Sequence, residues 1–366
     1  MLLQMALTAL TVALLPLAVV WGSRDANKYR KLVWVTLFLT FDLVMFGGFT
    51  RLTDSGLGCP DWPGCYGQAN PLQAQVQIQA AQTAMPSGPV TESKAWIEMI
   101  HRYLASAVGV LIIAQVVISW RRWFKAERHL AEFSPLLPTG LLALVCLQGA
   151  FGAWTVTLKL QPVIVTTHLL LGLSLLGALA WQAALQGHVE IVDERAVRLR
   201  LPALIALVLL TWQIAFGGWV STNYATLACL DFPMCQGHWI PPMDFGNGFT
   251  LWRQLGKTGS GEFLPFAALT AIHWVHRSFA LVVIACAGWV GYRASRIDAL
   301  RKNGLRLLGA LALQLSTGLL TIFLKWPLLL AVAHNGGAAL LVVLLIMLNY
   351  QTQNADSAEP RPTPVV

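Results

Sequence analysis

Long apolar runs, separated by shorter polar stretches, dominate this chain. Several runs reach 18 residues or more, the length that a helix needs to cross a bilayer. With 56% hydrophobic and only 11% charged residues, the chain is unlike an ordinary soluble domain. We predict nine membrane-spanning helices, at residues 2–22, 32–51, 99–119, 135–157, 163–186, 202–220, 265–291, 305–324 and 328–350.

The Lys and Arg residues are concentrated in alternate loops. Most of the 25 Lys and Arg residues follow the first, third, fifth and seventh predicted spans. By the positive-inside rule these loops are cytoplasmic, so the N-terminus lies outside and the C-terminus inside. We therefore expect a multi-pass protein of the bacterial inner membrane, in contact with lipid. The net charge of +8 is a topology signal, and no basic, aromatic-interleaved patch indicates nucleic acid.

The chain contains an internal repeat. The segment FGGF at 46–49 recurs as FGGW at 216–219, and the cysteine-containing loop that follows each segment recurs at the same offset of 170 residues. One repeat unit holds four spans, an even number, so both copies enter the membrane in the same direction. The predicted fold is all-α, with two tandem four-helix bundles related by a pseudo-twofold axis along the membrane normal.

These patterns divide the chain into four regions. Residues 1–30 form an extra transmembrane helix, retained rather than cleaved as a signal peptide, and a basic cytoplasmic loop. Residues 31–190 form the N-terminal four-helix half and residues 191–350 the C-terminal half. Residues 351–366, rich in proline and polar side chains, are predicted to be a disordered cytoplasmic tail.

Four histidines lie inside apolar spans as two matching pairs. His101 and His168 fall in the first half, and His276 and His334 in the second. A lone histidine in lipid would most simply form a hydrogen bond with a neighbouring helix. Two duplicated pairs instead favour haem, whose iron accepts an imidazole on each face. A zinc or copper site would call for acidic or sulfur ligands on the same helix faces.

The two halves differ at one charged position. Glu98 lies three residues before His101 and shares its helix face, whereas the matching position in the second half is His273. Glu98 is thus a candidate catalytic carboxylate, with a helix N-terminal carboxylate as the alternative interpretation. We assign no role to His273 or to Asp42, a carboxylate within the second span.

Four cations near the same ends of the spans are candidate contacts for haem propionates. A guanidinium suits a propionate, but these side chains could equally reach lipid head groups. The four residues are Arg102, Arg277, Lys159 and Lys325.

Four of the six cysteines form two C-x5-C pairs in the outer loops, Cys59 with Cys65 and Cys229 with Cys235. Disulfides persist outside the inner membrane, so two local disulfide bonds are predicted. A four-thiolate zinc site remains an alternative, although it usually has closer spacing. A redox-active rather than structural disulfide also remains open.

Taken together, the GGFTRLT segment at 47–53, the two cysteine loops, the E-x-x-H-R motif at 98–102 and the three later histidines resemble the haem A synthase family. The resemblance covers about residues 32–350. It implies an oxidoreductase that converts a methyl group of haem O to the formyl group of haem A, for cytochrome c oxidase biogenesis. The first predicted helix is additional to the eight of the family core.

The resemblance also implies roles for individual residues. His101 and His168 would be axial ligands of the substrate haem O, and His276 and His334 would be iron ligands of a haem b cofactor. Glu98 would be the essential carboxylate. Expected partners are haem O synthase and cytochrome c oxidase assembly factors, and a homo-oligomer is compatible with the sequence. The electron acceptor and the source of the new oxygen are not indicated.

Two other classes of membrane protein share some of these features. A quinol-linked, di-haem b-type electron carrier would also use four helix histidines, but with two equivalent haems and no catalytic carboxylate. A transporter would also use duplicated four-helix halves, but more often with broken helices near the midplane.

Overall fold

The computed structural model describes residues 1–125, 134–187 and 191–356. Within these ranges, nine helices are long and apolar enough to span a membrane, which confirms the predicted number. The chain is therefore a multi-pass membrane protein. His129 and His188 lie outside the described residues.

The elements follow one another in a simple order. They are α1 (Leu2–Gly22), α2 (Lys28–Leu52), α3 (Gln75–Ala84), α4 (Glu92–Phe124), α5 (Leu136–Thr157), α6 (Pro162–Leu185), β1 (Ile191–Val192), α7 (Glu194–Arg198), α8 (Arg200–Thr222), a 3-10 turn (Ala225–Leu227), α9 (Phe245–Gly248), α10 (Phe266–Ser295), α11 (Arg301–Phe323), α12 (Leu328–Gln353) and β2 (Ala355–Asp356). The long helices carry the spans, and α7 with α8 together form one of them.

The two halves pack in the same way. Helices α2, α4, α5 and α6 form a closed ring in which each helix contacts the next and α6 contacts α2. Helices α8, α10, α11 and α12 form a second ring in the same order. The rings meet through α2, α6, α8 and α12, while α1 packs on the outside of the first ring, against α4 and α2.

Two contacts between the halves join a residue to its own repeat counterpart, which is compatible with a pseudo-twofold arrangement. Arg51 at the end of α2 donates a hydrogen bond to the carbonyl of Ser221, its own repeat counterpart 170 residues later. Tyr224 donates to Asp54, which is also its counterpart at the same offset. These contacts place the ends of α2 and α8 side by side, beside the two cysteine loops. We call this the cysteine-loop end of the molecule.

The largest buried apolar cluster lies toward the opposite end. It joins α6 and α12 through fully buried leucines such as Leu176, Leu179 and Leu345.

Two long helices begin earlier than their apolar runs. Helix α4 begins at Glu92 rather than at residue 99, because the side chain of Thr91 accepts a hydrogen bond from the N–H of Lys94 and caps a polar first turn. Asn27 caps α2 in the same way, 2.9 Å from the N–H of Arg30. As a result, His101 lies in the third turn of its helix and not in the first.

The predicted disorder of the tail is wrong for its first residues. Helix α12 continues to Gln353, and Ala355–Asp356 pairs in parallel with Ile191–Val192. Arg200 supports this turn by donating to the carbonyls of Thr352 and Ala355. These backbone hydrogen bonds order the segment despite its polar composition, whereas residues 357–366 lie outside the described ranges.

Candidate functional site

The structure brings the four histidines together as two pairs. His101 of α4 and His168 of α6 belong to the first ring. His276 of α10 and His334 of α12 belong to the second ring. His168 and His334 each lie six residues after the first residue of their helices, so the two pairs occupy matching levels.

Every histidine ring lies against a glycine of a neighbouring helix. A Cβ built on Gly47 would stand 3.1 Å from Cε1 of His101, and one on Gly152 would stand 3.2 Å from Cε1 of His168. In the second ring the glycines are Gly217, at 2.9 Å from Cε1 of His276, and Gly318, at 3.0 Å from Cε1 of His334. All four positions need glycine for close packing against an imidazole.

Glutamine side chains lie beside three of the four imidazoles. The amide Nε2 of Gln148 lies 3.4 Å from Nε2 of His168, and that of Gln314 lies 3.3 Å from Nε2 of His334. Gln213 is specific to the second half, since its counterpart is Leu43; its amide lies 3.1 Å from Nδ1 of His276. The sequence repeat includes Gln148 and Gln314, but no role followed from it.

Glu98 is almost fully buried, with 4% of its surface exposed. One carboxylate oxygen accepts a hydrogen bond from the backbone N–H of Cys59 at 2.7 Å, and the other pairs with the guanidinium of Arg102. Glu98 therefore ties the histidine-bearing helix α4 to the first cysteine loop. Its buried charge is matched by a cation on the same helix, one turn later.

Arg102 holds the same loop by a second set of contacts. Its Nη1 donates to the carbonyls of Asp61, Pro63 and Gly64, while Nη2 pairs with Glu98. The guanidinium is thus occupied by protein groups, which the sequence alone did not indicate. Arg102 clamps the cysteine loop onto the helix that carries His101.

The second half replaces this ion pair with different chemistry. Arg277 donates through Nη2 to the loop carbonyls of Asp231 and Met234, but its buried Nη1 has no hydrogen-bond partner. His273, at the position of Glu98, is 2% exposed and packs edge-on against Trp326, with ring centroids 6.3 Å apart. The indole N–H of Trp326 is also buried without a partner.

The predicted disulfide bonds are present. Cys59 is bonded to Cys65 and Cys229 to Cys235, which removes the alternative of a four-thiolate zinc site. Each loop is closed a second time by an aspartate. Asp61 accepts from the N–H groups of Tyr66 and Gly67, and Asp231 accepts from those of Gln236 and Gly237.

The remaining predicted residues lie at the edges of the site. Lys159 and Lys325 are exposed and occupy equivalent turns, α5 to α6 and α11 to α12, where both have positive φ angles. Asp42 is exposed on the surface of α2, away from the histidine pair. The free thiols of Cys146 and Cys286 lie within α5 and α10.

Comparison with known proteins identifies the family of this chain. A family model described as cytochrome oxidase assembly protein matches residues 30–346. The haem A synthase of Shewanella oneidensis is 36% identical over 338 residues, which cover 90% of this chain and 99% of the relative. The haem A synthase of Mesorhizobium japonicum is 32% identical over 88% of this chain and 89% of its own length, and that of Novosphingobium aromaticivorans is 30% identical over 87% and 93%. The chain belongs to this cytochrome oxidase assembly family, together with the haem A synthases.

Proposed function

We propose that this protein is a haem A synthase, which oxidises a methyl group of haem O to the formyl group of haem A. The observation that carries the proposal is the unequal duplication of one site. Both rings hold a pair of histidines against glycines, but only the first ring has a carboxylate, Glu98, on the helix that carries one of them.

The donor set fits haem. Within the described ranges, no three His, Cys, Asp or Glu side chains cluster as a bare metal ion would require. Two imidazoles per ring, by contrast, are side chains that could hold a haem iron. The four glycines allow the imidazoles to pack closely against neighbouring helices, where larger side chains would push the rings away.

We assign haem b to His276 and His334 in the second ring, and the substrate haem O to His101 and His168 in the first. Bound there, haem b would supply one-electron redox chemistry. In the oxidation, a methyl group loses four electrons and gains one oxygen atom. Written with water, R–CH3 and H2O give R–CHO, four protons and four electrons, and the electrons must leave one at a time to an oxidant outside the chain.

The role that we propose for Glu98 is proton acceptance and charge stabilisation beside the substrate. A buried carboxylate held by one N–H and one guanidinium stays in place while the charge on the substrate changes. Arg102 balances its charge, and the Cys59–Cys65 loop fixes its position. The matching His273 has no fixed negative charge, which supports oxidation in the first ring only.

We propose different propionate contacts for the two halves. Arg277 has a buried, unpartnered Nη1, and Trp326 has an unpartnered indole N–H. Both are donors, as a propionate carboxylate requires. In the first half, Arg102 already binds the loop and Glu98, so Lys159 is the better candidate for a propionate contact. In the second half, Lys325 is an additional candidate.

The orientation is proposed from charge. The cysteine loops and the N-terminus lie outside the bacterial inner membrane, where disulfides persist, and the C-terminus lies in the cytoplasm. Haem O would come from haem O synthase, and haem A would pass to cytochrome c oxidase assembly factors. Both are large, apolar molecules, so delivery within the bilayer suits them.

The decisive experiment is pigment extraction. The chain is expressed with a haem O synthase in cells that lack their own haem A synthase, and extracted haem is separated by chromatography. We expect haem A and its hydroxylated precursor to appear only with the intact chain, and purified protein to retain haem b. Two firmly bound, equivalent b haems and no haem A would instead indicate an electron carrier.

A further inference from the structure

The hydrogen bonds around His334 define which of its ring nitrogens carries the proton. Oγ1 of Thr317 lies 3.1 Å from Nδ1 of His334 and 3.0 Å from the carbonyl oxygen of Gln314. A hydroxyl has one proton, and in a helix it is normally donated to a carbonyl of the preceding turn. Once that proton goes to Gln314, Oγ1 accepts a hydrogen bond from Nδ1–H of His334.

The other side of the ring leads to the same tautomer. Nε2 of His334 faces the side-chain amide of Gln314 at 3.3 Å, and an amide NH2 is a donor. Nε2 therefore presents a lone pair, while Nδ1 carries the proton. This is the form in which an imidazole binds iron through Nε2.

The first half lacks the hydroxyl. The counterpart of Thr317 is Phe151, whose ring packs against Trp154 at a centroid distance of 5.0 Å. His168 keeps the equivalent glutamine, and the Gln148 amide lies 3.4 Å from its Nε2, as the Gln314 amide lies near Nε2 of His334. Nδ1 of His168, however, has no hydrogen-bond partner within bonding distance.

We propose that Thr317 is a positioning residue that fixes the tautomer and orientation of His334, and that its replacement by Phe151 in the first half leaves His168 a weaker iron ligand. The second site then keeps its haem permanently, while the first can release its product. The inference rests on the proposed function, since it requires haem b at His276 and His334.

The physical basis is the second shell of an iron ligand. A hydrogen bond from Nδ1–H to an oxygen increases the electron density that Nε2 donates to iron, and removing such a partner typically weakens metal binding 10–100-fold. The effect is larger for ferric than for ferrous iron, because ferric iron carries more charge. Thr317 should therefore lower the reduction potential of haem b as well as slow its loss.

The test compares three variants of the purified, full-length protein. Thr317→Val removes the hydroxyl at nearly constant volume, and Thr317→Ser retains it. Thr321→Val is the matched control, because Thr321 lies one turn later, is equally buried and donates only to the carbonyl of Gly318. Readouts are the haem b midpoint potential, the electron paramagnetic resonance spectrum of its ferric form, and haem transfer to excess apomyoglobin.

We expect Thr317→Val to transfer haem b about tenfold faster or more. A tenfold selective weakening of the ferric form corresponds to a rise in midpoint potential of about 59 mV. Thr317→Ser and Thr321→Val should resemble the wild type. Equal behaviour of Thr317→Val and Thr321→Val, or loss of haem from Thr317→Ser as well, would overturn the inference. Wild-type protein without haem b would overturn the proposed function itself.

The reciprocal change tests the first half. Phe151→Thr restores the hydroxyl beside His168, and Phe151→Val leaves a similar space without it. We expect haem A to co-purify with the Thr variant in at least tenfold excess over the Val variant, because the product then dissociates more slowly. Equal retention by both variants would contradict the role that we assign to the hydroxyl.

Discussion

Gly217 of α8 lies directly against the imidazole of His276 on α10, so that a Cβ on the glycine would stand 2.9 Å from Cε1 of the ring. Real Cβ atoms essentially never approach so closely, and the neighbour here is a ring held on a packed helix. The position of this histidine thus depends on the absence of one methyl group.

Gly217→Ala should therefore displace His276 and weaken the binding of haem b that we propose for this ring. Overpacking of this kind costs about 1–3 kcal/mol. The matched control is Gly309→Ala, on α11 of the same ring, where nothing lies within 4 Å of the added Cβ. We expect the control to be neutral or more stable by about 0.5–1 kcal/mol. Absorption spectra of the purified variants measure haem b, and equal haem content would refute the proposed packing constraint.

Glu98→Gln should abolish haem A formation while haem b remains bound. The amide oxygen can still accept from the N–H of Cys59, but the negative charge that faces Arg102 is lost. Removing one partner of a buried ion pair costs about 3–5 kcal/mol, so thermal stability must be measured beside activity. Glu92→Gln, at an exposed position of the same helix, is the control and should keep full activity. Wild-type product formation by Glu98→Gln would remove its catalytic role.

Single histidine replacements should separate the two rings. We expect His276→Ala and His334→Ala to lose the haem b spectrum, because each removes an iron ligand that we propose for the second ring. His101→Ala and His168→Ala should keep that spectrum but form no haem A. Reduced-minus-oxidised spectra and pigment extraction distinguish the two classes. Loss of haem b from the first-ring variants alone would reverse our assignment of cofactor and substrate.

The two disulfide bonds should differ in their effect on activity. Breaking either bond by replacing both cysteines with serine removes a short ring worth about 2 kcal/mol in the chain-entropy account. Only the Cys59–Cys65 loop, however, supplies an N–H to Glu98. We expect the Cys59/Cys65 variant to lose much more activity than the Cys229/Cys235 variant, at a similar loss of stability. Equal activity losses would show that the first loop does not position the carboxylate.

Acid should loosen the second cysteine loop in a way that depends on Asp231. Burial alone would raise the pKa of its carboxyl, but the N–H groups of Gly237 and Gln236, together with Arg277, hold that pKa below its usual value of 3.8. The stabilisation is therefore complete above about pH 4 and is lost as the pH falls through the lower, folded-state pKa. Asp231→Asn should lower the melting temperature at pH 7, and the gap to wild type should close toward pH 3. A constant gap would exclude this carboxylate as the cause.

Hydrophobic patterning predicted the fold well, because membrane spans must be apolar throughout and leave a strong signal. The repeat then brought out the histidine pairs and the cysteine pairs. Hydrophobic patterning did not reveal the helical segments that are made of polar residues. The first turns of α4 are polar and capped by Thr91, so their helix was not recognised, and the surface helix α3 is too short and polar to stand out.

The contacts of individual polar side chains were even harder to predict from the sequence. Nothing in the sequence indicates that Arg102 reaches three loop carbonyls, since those carbonyls belong to every residue type alike. Thr317 has no counterpart in the repeat, so duplication could not reveal it. The glycines beside the rings were visible as a repeated pair, but their close approach to histidine required the packing of neighbouring helices.

Each FGGF-type segment has a second glycine that faces the other ring. Gly48 packs against the side chain of Asn335, which directly follows His334, and Gly218 packs against Leu169, which directly follows His168. On the proposed assignment, the spacing between the electron-accepting haem and the porphyrin being oxidised is set by these two rigid contacts and not by flexible connections. Electron tunnelling depends steeply on such spacing, so the duplicated glycines would keep the transfer rate constant while substrates come and go.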